Sequence, residues 1–124
     1  MIDIFSAMGI TIKNFAEEIL GIDHDSLRNR EVFIKFIVTR KGVVFDPQLF
    51  VNFEKSFGEG SLYHKDIADA NLIDRALVEG GAYAAISHEK IRITGKSMEF
   101  GGISGFEKKV RDYFENYFDS RIDL

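Results

Sequence analysis

Two short stretches carry side chains whose types and spacing allow chemistry. The first is "SLYHKDIADA", residues 61–70, with His64 among small and polar neighbours. Ser61 suits a helix N-cap, which would make His64 the third helical residue, in the positive field of the helix start. That field disfavours imidazolium and favours a neutral ring able to take a proton. Unbonded N–H groups at a helix start also attract an anion. A neutral imidazole beside an anion is what water needs as a general base when it attacks a phosphoryl group. On its own, a polar residue at a helix start is more often structural. The second stretch is "TGKSMEFGG", residues 94–102. Glycines on both sides of Ser97 leave backbone N–H groups able to form an anion-binding concavity, and Ser97 adds a hydroxyl donor. It is not a phosphate loop of the Walker A type, because the G-x-x-x-x-G-K-[ST] spacing is absent.

Other combinations are weaker. "DHD" at 23–25 has metal-ligand residue types, but a solvated loop is the simpler reading. The three histidines, His24, His64 and His88, are far apart in sequence, and nothing local brings them together. No metal and no cofactor is therefore expected. A Ser97–His64–Asp triad lacks a nucleophile-elbow sequence. The chain has no cysteine, which excludes disulfides, thiolate catalysis and zinc-ribbon sites. A net charge of -4 argues against nucleic acid or an anionic membrane as main partner. The start of the chain, "MIDIFSAMGI", does not read as a signal peptide, and no window is apolar enough for a membrane span. A cytoplasmic protein is expected, with no information on its oligomeric state.

The elements that must position these residues follow from periodicity. With 124 residues, 45% apolar and 12 of them Phe, the chain reads as a single ordered domain, 1–124. Residues 11–21 predict a helix with Ile12, Phe15, Ala16, Ile19 and Leu20 on one face, Thr11 as cap and Gly21 as stop. "VFIKFIV" (32–38) predicts a central strand and "VVF" (43–45) its partner. Asp46 and Pro47 suit a helix start, and Leu49, Phe50, Phe53 and Phe57 suit a helix, although "LFVNF" also alternates like a strand. "GEG" at 58–60 would end it. A helix is expected from about 62 to 78, stopped by "EGG" at 79–81. "AYAAIS" and "KIRITG" predict paired strands around a tight turn. Ser104 and Glu107 form a capping-box pattern for a last helix carrying Phe106, Val110, Phe114 and Tyr117. "DSRIDL" suits a final edge strand. The predicted class is α+β (α/β-like), a mixed sheet flanked by helices.

Taken together, the motifs have a family order. "YHKDIAD" (63–69), "GG" (80–81), "ISH" (86–88) and "GKSMEFG" (95–101) follow one another. This resembles the Janus/Ocnus family of small protein-histidine phosphatases, whose elements read Y-H-x-D-I, G-G-G-R-I-S-H and G-x-S-M-x-[YF]-G. The family's first strand is also similar to "VFIKFIV". The resemblance covers about residues 30–124 and leaves 1–29 as an extension with an extra N-terminal helix. It implies a phosphohistidine-phosphatase-like fold and metal-independent release of phosphate from phosphohistidine. His64 would be the base that activates water. Ser97, Met98 and Glu99 would bind phosphate, and Arg30 would fall where the family has a lysine before its first strand. The implied partner is a phosphorylated protein or a small phosphoramidate such as phospholysine.

The chain departs from the family pattern in four places. Ala85 stands where the family has arginine before I-S-H. Glu99 stands where the family has a small residue. A second histidine beyond the loop falls near Gly105 and is absent, and the hairpin after I-S-H is shorter. These changes thin the positive charge around the site. They keep a second reading open: a non-catalytic phosphate- or anion-binding module, or a protein-interaction module, on the same scaffold. A third is a structural partner protein that docks through the 11–20 helix.

Overall fold

The computed structural model describes residues 9–56 and 62–124, with the backbone alone for 54–56. Ser61, expected as a cap, and "GEG" at 58–60 lie outside the described residues. Among the described residues, four helices and five strands form a mixed α+β domain. The sheet order is β2-β1-β3-β4-β5, with β1 Val32–Thr39, β2 Gly42–Phe45, β3 Val78–Ile86, β4 Ile91–Thr94 and β5 Ile122–Asp123. All neighbours are antiparallel except β5, which runs parallel to β4 at the edge. Among the described residues, no helix is long and apolar enough to cross a membrane.

Period-2 alternation sorts the strand residues onto two faces. Ile34, Phe36 and Val38 of β1 join Ala82, Ala84 and Ile86 of β3 in the main core. This face is covered by α1 (residues 12–20) and α4 (Glu107–Tyr117). Phe36 and Phe45 each meet Phe114 edge-on at 5.0 Å between ring centres. Phe15 meets Phe118 in the same way at 4.9 Å. Edge-to-face rings at this spacing add directional attraction to burial. The opposite face holds a smaller cluster of Ile37, Leu62, Ile67 and Ala68 under α3 (His64–Ala70).

Helix α1 follows its sequence signals at both ends. The Thr11 hydroxyl accepts from the Asn14 N–H at 3.1 Å, and Gly21 takes the left-handed conformation, φ 71°. Its second part, Phe15–Leu20, winds as a π-helix. Ile12, Phe15, Ala16 and Leu20 are buried in the domain's own core. That face is therefore not an external docking surface. Asp46 caps α2 (Pro47–Ser56) by accepting the Leu49 N–H at 3.1 Å, so "LFVNF" is helical. In α4 the Glu107 carboxylate accepts the Gly105 N–H, and Phe106 occupies the N-cap position expected for Ser104.

The expected helix 62–78 is corrected at both ends. It starts at His64, with Tyr63 as N-cap, and stops at Ala70. Asp66 reaches back to the Tyr63 N–H at 2.8 Å. At the far end the Ile73 N–H bonds to the Ala68 carbonyl and the Leu72 N–H to the Asp69 carbonyl. These 6→1 and 5→2 bonds form a Schellman stop, with Ile73 packed back on the small cluster. Leu72 fills the left-handed position, φ 58°, where glycine is usual. The stop thus carries no glycine signal. The glycines read as the stop lie inside β3 instead, just after the register shift that leaves Glu79 unpaired.

Leu72 is 94% exposed, so it gains little from packing in return for its strained backbone. Leu72→Gly should raise stability by about 0.5–1 kcal/mol, read as a higher urea midpoint at unchanged slope.

Candidate functional site

Gly80 and Gly81 form the floor of the site. A Cβ on Gly80 would lie 2.1 Å from the Gly102 carbonyl oxygen. A Cβ on Gly81 would lie 2.8 Å from Cδ2 of His64. These positions need glycine because a loop and an imidazole press directly onto the strand. The Gly81 carbonyl accepts the Ser97 N–H at 3.0 Å, and its N–H donates to the Gly101 carbonyl at 3.0 Å. The 97–101 loop and His64 are therefore anchored to the same residue. "YHKDI", "GG" and "GKSMEFG" meet at one place.

His64 is buried at the first turn of α3, as its first helical residue rather than its third. Its Nε2 lies 3.1 Å from the Ala82 carbonyl oxygen. A carbonyl only accepts, so Nε2 carries the hydrogen and Nδ1 holds the lone pair of the neutral ring. Burial pushes the His64 pKa below its ordinary value of 6.5, and the Lys35 ammonium pushes it the same way. The Ala82 hydrogen bond and the Glu99 carboxylate oppose this. Burial and a nearby cation thus favour the neutral ring at pH 7.

Lys35 is the residue that sequence reasoning missed. It sits on the α3 face of β1, and its Nζ donates to the Leu62 carbonyl two residues before His64. The ammonium lies 5.6 Å from the Tyr63 ring centre and 5.8 Å from that of Tyr83. Tyr83 in turn stands edge-on to His64 at 5.4 Å. The signal was a single charge inside "VFIKFIV", at the spacing that points it away from the main core. Arg30 is not brought to this place. It lines a separate cavity with Leu20, Val32 and Phe50, beyond the end of β1 distant from Gly81.

Of the three expected phosphate ligands, Ser97 is buried and Met98 almost fully exposed. The Ser97 hydroxyl accepts from the Glu99 N–H at 3.2 Å and from the Phe100 N–H at 3.0 Å. Two of the loop's donors are thus satisfied within the loop. The Met98 N–H has no protein acceptor among the described residues and can serve an incoming anion. Glu99 lies near enough to act on both His64 and Arg75.

No protein-family model, curated protein or solved structure matches this chain.

Ala85 has a basic cross-strand neighbour, which is itself ion-paired. Ala85 pairs with Arg92 across β3 and β4, and directly paired residues share a face. The Arg92 guanidinium is held 2.7 Å from the Glu31 carboxylate. Sheet residues Lys35, Tyr83 and Arg92 therefore extend from His64 along one open face.

The lowered His64 pKa fixes a stability trend. In the folded chain the ring stays neutral to lower pH than in the unfolded chain. The unfolded chain takes up the proton first, so this group's contribution is complete above about pH 6.5 and falls as the pH drops below it. An NMR titration of the imidazole should give a midpoint below 6.5, and Lys35→Met should move it upward. A midpoint at or above 6.5 in the parent chain contradicts this electrostatic account.

Proposed function

We propose that the chain is a metal-independent phosphohydrolase acting on phosphohistidine or a related phosphoramidate, on a phosphohistidine-phosphatase-like scaffold of the Janus/Ocnus type. One observation carries this reading. A buried neutral imidazole, with Nδ1 as its lone-pair nitrogen, shares the Gly81 anchor with the glycine-flanked 97–101 loop. The motif order "YHKDI", "GG", "ISH" and "GKSMEFG" supports the same scaffold.

Each residue then has a chemical part. Lys35 and the Met98 N–H attract the phosphoryl oxygens, and Lys35 takes the place first assigned to Arg30. Water attacks phosphorus as His64 Nδ1 takes one of its protons. The P–N bond breaks as the oxygen–phosphorus bond forms, and the leaving nitrogen departs with a proton from solvent. The phosphoramidate nitrogen is a good leaving group once protonated, so positioning and one base supply most of what is needed. General-base help is typically worth ~10²–10⁴-fold. The Glu99 carboxylate opposes the phosphate charge, so Glu99→Ala should strengthen phosphate binding.

The second reading is an anion-binding module without turnover. It is favoured by Ala85 and Glu99, which stand where the family pattern has an arginine and a small residue and which thin the positive charge that turnover of a phosphoryl group needs. Phosphate release from phosphohistidine and phospholysine peptides separates the two. His64→Ala should lower kcat/KM by about 10²–10⁴-fold with an unchanged circular dichroism spectrum. Full activity in that variant removes His64 as the base. Phosphate binding with no turnover by the parent chain establishes the module instead.

A further inference from the structure

The second polar cluster lies at the opposite end of β3. Antiparallel pairing of Val32 with Ile86 brings the segment before β1 beside the turn after β3. His24, in the 3₁₀ turn His24–Arg28, stacks on His88 with ring centres 3.9 Å apart. One ring nitrogen from each histidine and a carboxylate oxygen of Asp25 all lie within 4.8 Å of one another. Residues 64 positions apart in sequence are thus placed as a possible ligand set.

The hydrogen bonding of His24 is what a ligating imidazole requires. His24 Nε2 lies 2.9 Å from the His88 carbonyl oxygen, so Nε2 carries the hydrogen and Nδ1 keeps the lone pair. His88 Nε2 lies 3.5 Å from Asp25 Oδ1. A tetrahedral ion with bonds of ~2.0–2.1 Å separates its ligands by roughly 3.3 Å, so this pair is nearly at bonding distance already. His88 Nδ1 is enclosed and makes no hydrogen bond among the described residues. It has the Glu89 carboxylate 3.8 Å away. Each ring would then have an acceptor behind it: a carbonyl for His24 and a carboxylate for His88. Such partners orient metal-bound imidazoles.

We propose that His24, Asp25 and His88 bind a divalent ion of the zinc type, with Glu89 supporting His88. Two imidazoles and a carboxylate without thiolate suit Zn²⁺, Ni²⁺ or Cu²⁺ rather than Ca²⁺ or Mg²⁺. His88 also lines a surface cavity of about 330 Å³ with Arg28, Glu89 and Lys90. Arg28, 3.6 Å from Asp25 Oδ1, neutralises the carboxylate without the ion and gives way when it binds. The ion ties the segment before β1 to the β3–β4 turn. Gly81 and Ile86 are about 17 Å apart along β3, so this tie is separate from the His64 chemistry.

Zinc titration into the EDTA-treated full chain tests the site, by calorimetry and by thermal unfolding. The expected result is one saturable ion per chain and an unfolding midpoint that rises with zinc. His24→Ala and His88→Gln should each weaken binding by on the order of 10–100-fold or more, and Asp25→Asn should also weaken it. His64→Ala should bind as the parent does, which excludes the other histidine. Co²⁺ should give a visible spectrum that both histidine variants lose, and circular dichroism checks that they fold. Absence of saturable binding overturns the proposal, as does binding that survives both changes or is lost with His64.

Discussion

A side chain at position 81 would force the His64 ring or the strand to shift. The imidazole edge lies 2.8 Å from where a Cβ would be, and both backbone polar groups of Gly81 are bonded to the 97–101 loop. One strand residue therefore fixes the distance between a helix start and a glycine-flanked loop. Gly80 does the same for the loop's far end, through its approach to Gly102. The main core supports this arrangement from below. Phe36 of β1 and Ala82 of β3 are paired and fully buried, so the strand under the site is held from its other face. Loss of close approach at Gly81 would separate His64 from the loop.

The electrostatics of the site follow from where β1 and β4 place their cations. Lys35 lowers the His64 pKa and also offers positive charge to a phosphate, two effects that act together. Burial is the larger cause of the lowering, and Lys35 adds to it. Arg92, paired with Ala85, supplies a guanidinium on a neighbouring strand at a position where "AISH" itself has none. That guanidinium is paired with the Glu31 carboxylate, so Lys35 is the cation that acts on His64.

The sequence made some elements legible and hid others for identifiable reasons. β1, α1 and α4 carry strong periodicity with Phe-rich faces, and tertiary packing agrees with it. The length of α3 was hidden because the 3.6-residue spacing of Ile67, Ala70, Ile73 and Leu77 continues past the real stop. That stop is made by Leu72 in a glycine-like conformation, which composition does not reveal. Gly80 and Gly81 have the composition of a helix end but serve close backbone approach inside a strand. Lys35 was absorbed into an apolar run, although its parity put it on the His64 side. The meeting of His64 with the 97–101 loop could be expected only through the family resemblance. The meeting of His24 with His88 could not, because only strand pairing creates it.

The central claim is that His64 is a neutral base with Nδ1 available, set beside an anion-binding loop. A long-range ¹H–¹⁵N correlation spectrum of the imidazole at pH 7, with and without inorganic phosphate, tests it most directly. The account predicts hydrogen on Nε2 and none on Nδ1, with phosphate shifting the ring signals and the Met98 amide together. An imidazolium, or hydrogen on Nδ1 with Nε2 bare, contradicts it, as does phosphate that moves neither group.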